Sequence, residues 1–309
     1  MSHAHIPRQG LFLIAAIALF WGLNWPIMKI ALSELSVWQF RSLCLAGGAI
    51  GMFTIARARG LSLAVPRGHW GRLVLLSLFN CTTWNILSAY GLTQLPAGRA
   101  SILSYTMPLW TTLLSVWFLH ERFTRRTAVA LALGVAGLAL LIGEDLVVLR
   151  SAPVGALCML AAAFFWAIGI VLMKRLPPGM HMVPFTAWMF LIGGAPVFVA
   201  LFVFQGLPLP AISTPAWLAV WYNILVAFLF CYWAFLRLVE MLPATLTGIS
   251  SLIVPVVGVF SGMVMLHERP GWHEFLALAL IVGALGAVLL VPRPAGRAAS
   301  GPIRTPAGE

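Results

Sequence analysis

Apolar positions along this chain fall in long unbroken blocks, without the alternation of strands or the heptads of a coiled coil. Ten such runs occupy 11–31, 38–56, 71–92, 97–119, 126–143, 152–173, 183–204, 216–238, 244–266 and 272–291. Each comes close to the roughly 20 residues a helix needs to cross a hydrocarbon core. Continuously apolar runs exclude a closed β-barrel, whose strands alternate. The pattern predicts an all-α integral membrane protein with ten transmembrane helices. The first run has no small-residue cleavage site after it and continues through Trp21-Gly22-Leu23-Asn24-Trp25-Pro26. It is therefore expected to be a retained span rather than a signal peptide. The segments 1–9 and 293–309 are polar or rich in Pro and Gly, and the second is expected to be a flexible cytoplasmic tail.

One block occurs twice. Leu95-Pro96-Ala97, Pro108 and Leu119-His120-Glu121-Arg122 fall, with a shift of 147 and no gap, on Leu242-Pro243-Ala244, Pro255 and Leu266-His267-Glu268-Arg269. The openings of the two halves agree with a shift of 145: Phe20-Trp21 on Phe165-Trp166, and Met28-Lys29 on Met173-Lys174. The duplicated unit is thus five helices long, residues 10–145 and 151–292. Five is odd, so the second unit enters the membrane from the opposite side. Two inverted five-helix repeats are an architecture of secondary transporters.

Charge gives the orientation. With the N-terminus in the cytoplasm, fourteen of the 19 Lys and Arg residues fall on inner segments. Both termini are then cytoplasmic. The same bias accounts for the net charge of +11 without nucleic acid, because the arginines lie in short loops rather than on one folded face. Hydrophobic residues make up 61% of the chain and charged ones 9%, against about a quarter charged in a soluble domain. Cys44, Cys81, Cys158 and Cys231 sit singly in apolar runs and are expected to pack as small hydrophobes.

An alternating-access carrier binds its solute near the bilayer midplane, between the repeats. Polar and aromatic residues inside the spans are the candidates. Ser101, Ser104, Tyr105, Pro108, Thr111, Thr112 and Ser115 recur at three- and four-residue spacing on one face. That face either lines a cavity or joins helices through hydroxyls. Asn80, Trp84, Asn85 and Ser88 share the third run, Asn24 lies in the first, and Trp166, Trp188 and Tyr232 lie in the sixth to eighth. Buried amides are costly against lipid and should face the interior. The candidate binding set is Asn24, Asn80, Trp84, Asn85, Ser104, Tyr105, Trp166, Trp188 and Tyr232. Pro108 and Pro255 free backbone carbonyls in mid-span and are candidate gates. Trp38, Trp70, Trp217 and Trp272 lie near run ends, as in an interfacial belt. The pairs Gly47/Gly51 and Gly258/Gly262 read as close helix packing.

No Asp, Glu or His falls securely in mid-span, which points to facilitation or exchange rather than proton pumping. No metal-ligand or nucleophile–base spacing is present. His120-Glu121 and His267-Glu268 do not extend to HExxH, so neither an enzyme nor a cofactor is expected.

The ten runs, the two five-helix units and the mid-span Pro followed by L-H-E-R in each half resemble the drug/metabolite transporter superfamily. Each half is similar to an EamA domain, over about residues 10–292. The resemblance implies a bacterial inner-membrane exporter of small metabolites, amino acids foremost, with a central cavity between the halves. Aromatic amino acid exporters of the YddG type are similar in architecture and suit an aromatic lining. Export of organic cations or drugs, or of a nucleotide precursor, by proton antiport is the alternative. The expected partners are a small-molecule solute and the lipid bilayer, and the chain is expected to be a monomer or homodimer.

Overall fold

The computed structural model describes residues 8–120, 125–143, 153–206, 210–235 and 254–289. Among these every regular element is helical. In chain order they are α1 (Arg8–Leu32), α2 (Val37–Ala58), α3 (Trp70–Gln94), α4 (Ala97–Ser104), α5 (Met107–Phe118) and α6 (Arg125–Gly143), then α7 (Pro153–Arg175), α8 (Met182–Phe204), α9 (Thr214–Phe235), α10 (Val254–Leu266) and α11 (Trp272–Leu289). Five of them, α1, α3, α7, α8 and α9, are long and apolar enough to cross a membrane. Large apolar side chains also face outward: Phe12, Ile50, Leu157, Val203, Trp221 and Val264 are each more than half exposed. Water tolerates such side chains singly but not as a girdle, whereas hydrocarbon solvates them.

Local chemistry sets the ends. Ser36 caps α2 in a reciprocal box with Gln39, and Ser213 caps α9 ahead of Pro215 in its first turn. The ends of α5 and α10 turn at His120 and His267, which adopt left-handed φ of 52° and 54°. That conformation stops a helix and is strained for a residue with a Cβ.

The expected single helix over 97–119 breaks instead at Tyr105 and Thr106. Pro108 has no N–H to offer the Ser104 carbonyl, and a proline inside a continuous helix crowds the carbonyl four residues before it. It fits better in the first turn of a new helix, where α5 places it. The Tyr105 amide tightens onto the Ser101 and Ile102 carbonyls at the break. Pro255 stands second in α10 and is buried. Glu121, Arg122, Arg237, Glu240, Gly248, Ser251 and the tail 293–309 lie outside the described residues.

Helix packing follows the small residues. α2 lies against α8 and α9, α6 against α11, α1 against α9 and α10, α7 against α3 and α5, and α4 against α10. A Cβ on Gly47 would sit 2.8 Å from Ile224, and one on Gly51 2.6 Å from Leu229. On Gly258 it would meet Ser101 Oγ at 2.4 Å. Backbones at these points approach as close as glycine allows.

Candidate functional site

Six spans converge on a central cavity of about 120 Å³. α1 contributes Trp21, Asn24, Trp25 and Met28, spaced so that one helical face looks inward. Pro26 in this helix leaves the Gly22 carbonyl without a helical donor, and Ser261 Oγ of α10 donates to it at 3.4 Å. From α3 come Trp84, Asn85 and Ser88, directly after a π-helical turn at Leu78–Thr83. The chain break supplies Ser104, Tyr105 and Met107. α7 supplies Trp166, whose ring centroid lies 4.9 Å from that of Trp84. α9 supplies Ala227, Phe228 and Tyr232, the first two within a second π-helical stretch, Asn223–Cys231. Trp21 Nε1 donates to the Ala227 carbonyl at 3.3 Å, and the Trp21 ring meets Tyr232 edge-on at 5.9 Å.

The walls are therefore largely aromatic, with a small polar set. Arg41 from the second turn of α2 is 2% exposed. Its Nε donates to the Asn85 carbonyl at 2.9 Å and its Nη2 to Ser88 Oγ at 3.1 Å. Among the described residues no carboxylate lies within ion-pair distance of it. The Ser104 hydroxyl donates to the Ala100 carbonyl, but the Tyr105 and Tyr232 hydroxyls have no partner among the described residues. Asn24 donates through Nδ2 to Met28 Sδ, while its buried Oδ1 has no partner among the described residues. An apolar cleft with a few converging polar groups is the usual form of a small-molecule site.

A cluster of polar ties lies beyond the cavity, at the C-terminal end of α1. Next to Met28, Lys29 pairs with Glu268 at 3.7 Å and donates to the Leu95 carbonyl. Glu268 follows the turn at His267 and accepts from the Ala97 and Gly98 amides at 2.6 and 3.1 Å, capping α4. Arg99 pairs with Glu274 beside it. At the same end the Ser213 amide and hydroxyl donate to Glu34, which holds that carboxyl below its ordinary range, and Ser36 donates to Gln205.

Comparison with known proteins adds to this geometry. A profile described as the EamA-like transporter family matches residues 8–143 and again 153–291. The chain belongs to the EamA-like transporter family. An uncharacterized transporter of Bacillus subtilis (strain 168), YoaV, is 26% identical over 88% of this chain and 91% of its own length. A protein of Escherichia coli (strain K12) named a probable amino-acid metabolite efflux pump is 28% identical over 90% of this chain and 94% of its own. A solved structure, described only as the crystal structure of a protein, superposes with a TM-score of 0.66 at 22% identity, covering 91% of this chain and 97% of that one. That likeness concerns the fold.

In this EamA-like transporter, seven of the nine binding candidates from the sequence meet at one cavity: Asn24, Trp84, Asn85, Ser104, Tyr105, Trp166 and Tyr232. Asn80 and Trp188 do not. Asn80 is buried beneath Gly169 of α7, with Nδ2 on the Leu76 carbonyl at 3.2 Å. Trp188 lies near the opposite end, where Nε1 donates to the Leu63 carbonyl at 2.9 Å and the ring packs between Phe53 and Trp70. Among the described side chains of the polar stripe over 101–115, only Ser104 and Tyr105 line the cavity; Ser101 packs against Gly258, and the break at Tyr105–Thr106 turns away those that follow. Arg41 is not among the candidates from the sequence, where it counts only as one of the five cations on outer segments. Its signal was a lone cation four positions into α2, in a run that carries no other charge until Arg57.

Proposed function

We propose that the protein is a secondary transporter of a bacterial inner membrane that exports small metabolites, aromatic or apolar amino acids foremost, by alternating access around this cavity. The observation that carries the reading is the cavity itself: largely aromatic, with a few polar groups that have no partner among the described residues, where helices from both halves meet. The name of the Escherichia coli relative supports amino acids as the solute class. The aromatic walls support a YddG-type preference within it.

Ten spans in two inverted repeats fit what is described. Helix contacts map onto one another under exchange of the halves: α1 with α9 matches α7 with α3, and α1 with α10 matches α7 with α5. The π-helical stretches open at Leu78 and Asn223, 145 residues apart, the shift found in the sequence. The left-handed histidines are 147 apart, as the L-H-E-R motifs are. On this scheme both termini are cytoplasmic and the Lys29–Glu268 tie closes the outer end. Pro108, placed at the break beside Tyr105, and Pro255, placed where α10 meets α1, act as gates.

The test is uptake of labelled phenylalanine, tryptophan and leucine into liposomes holding the purified protein, with no proton gradient. Saturable uptake is expected, lowered at least tenfold in Tyr105→Ala and Trp166→Ala proteins that reconstitute normally. Wild-type rates in both variants would take the cavity out of the transport path.

A further inference from the structure

We propose that Arg41 is the carboxylate-recognition residue of the central cavity, so that the transported solute is an organic acid or zwitterion seated with its carboxylate against the guanidinium. This rests on the transporter reading and names the charge its solute must carry.

Arg41 carries an unbalanced charge. Arg41 is 2% exposed and lines the cavity. Among the described residues its partners are neutral: the Asn85 carbonyl, Ser88 Oγ, Met28 Sδ at 3.8 Å and the Phe40 ring at 5.2 Å. Among the described residues Nη1 has no hydrogen-bond partner and no carboxylate is in reach. A buried cation without a counter-charge is expensive, and in a membrane segment it marks a binding or transport function more often than a structural one. Here α3 holds the Nε–Nη2 edge of the guanidinium in place. The remaining edge is a planar donor, the geometry that suits a carboxylate.

A second observation is independent of the first. Asn24, which lines the same cavity, has a buried acceptor, Oδ1, with no partner among the described residues. A cation without an anion and an acceptor without a donor complement the two ends of an amino acid, carboxylate and ammonium. The aromatic walls around them take the side chain. Those aromatics alone would also suit an organic cation. Arg41 decides between the two, because a second positive charge in the same small cavity is repelled across a low dielectric.

The experiment measures thermal stabilisation of the detergent-purified full-length protein by three ligands of one ring size: L-phenylalanine, 3-phenylpropionate and phenethylamine. Stabilisation is expected from the first two and none from the third. Arg41→Gln, if it remains monodisperse, is expected to need at least tenfold more of either carboxylate for the same shift. Should that variant aggregate, the wild-type panel decides alone. Stabilisation by phenethylamine equal to that by phenylalanine overturns the assignment, as does an unchanged dose response in Arg41→Gln. A response to phenylpropionate but not to phenylalanine upholds Arg41 and overturns the amino-acid reading. No response to any of the three overturns both.

Discussion

A methyl group placed on Gly169 would lie 2.3 Å from Asn80 Oδ1, inside any real contact distance. The two residues are one packing unit: the amide satisfies itself on its own helix and fills the space a side chain on α7 would need. Gly169→Ala is accordingly expected to destabilise the protein by about 1–3 kcal/mol through overpacking. Asn80→Ala in the same background should recover part of that loss, read as the melting temperature in detergent. A Gly169→Ala protein as stable as wild type would return Asn80 to the list of groups free to meet a solute. This pair also marks what could be read from residue types alone. A polar side chain in an apolar run announces that it avoids lipid, and Asn24, Asn80 and Asn85 were legible to that extent. Whether such a group faces a cavity or a neighbouring glycine depends on the partner helix, which spacing within one run does not contain. Arg41 was overlooked for a related reason. Four residues from a helix end, an arginine on one face snorkels to the interface, and on the opposite face it is buried, with the same sequence neighbours.

At the scale of the element, runs and their order were plain from hydropathy, while the irregularities that shape the cavity were not. Nothing in Leu78–Thr83 or Asn223–Cys231 announces a π-helical turn, because those turns are made by tertiary packing. Such turns often accompany functional sites. Here they precede Trp84 and Asn85 on one helix and contain Ala227 and Phe228 on the other. The L-H-E-R motif was visible as a repeat, but its role appears only when the chain folds. His267 reverses the backbone, and Glu268 then reaches across to the first amides of α4 and to Lys29. A carboxylate at a helix N-terminus is favoured both by the cap and by the dipole, and losing such a cap costs about 0.5–2 kcal/mol. Glu268→Gln keeps an acceptor but loses the ion pair, so the tied end is expected to open more often. The check is the rate at which a membrane-impermeant maleimide labels Ser104→Cys, in a Cys158→Ala background that removes the least buried native thiol. A severalfold faster rate from the side of the α1–α2 loop is expected. An unchanged rate would mean that the Lys29–Glu268 contact does not limit access to the cavity.

For the whole molecule, the question is what drives the transport cycle. A proton-coupled carrier needs a group that changes charge where the solute binds, and in membrane segments that group is typically Asp, Glu or His. Among the described residues lining the cavity there is none. Arg41, the one charged residue there, keeps its proton at any physiological pH. The cycle we propose therefore alternates between two closures related by the repeat, with the solute gradient as the only driving force. A mutational path to the same conclusion is indirect, because changing Glu268 alters closure and any proton path together. The direct measurement is counterflow in liposomes preloaded with unlabelled phenylalanine, with and without an uncoupler. Less than a twofold change in rate is expected, together with a flat response between pH 6 and 8. That range lies well above the depressed range of Glu34, whose tie to Ser213 would loosen only as the pH falls through it. A tenfold loss on collapsing the proton gradient would leave the cavity and Arg41 where they are. It would transfer the coupling to the Lys29–Glu268 pair, one residue along α1 from Met28 of the cavity wall.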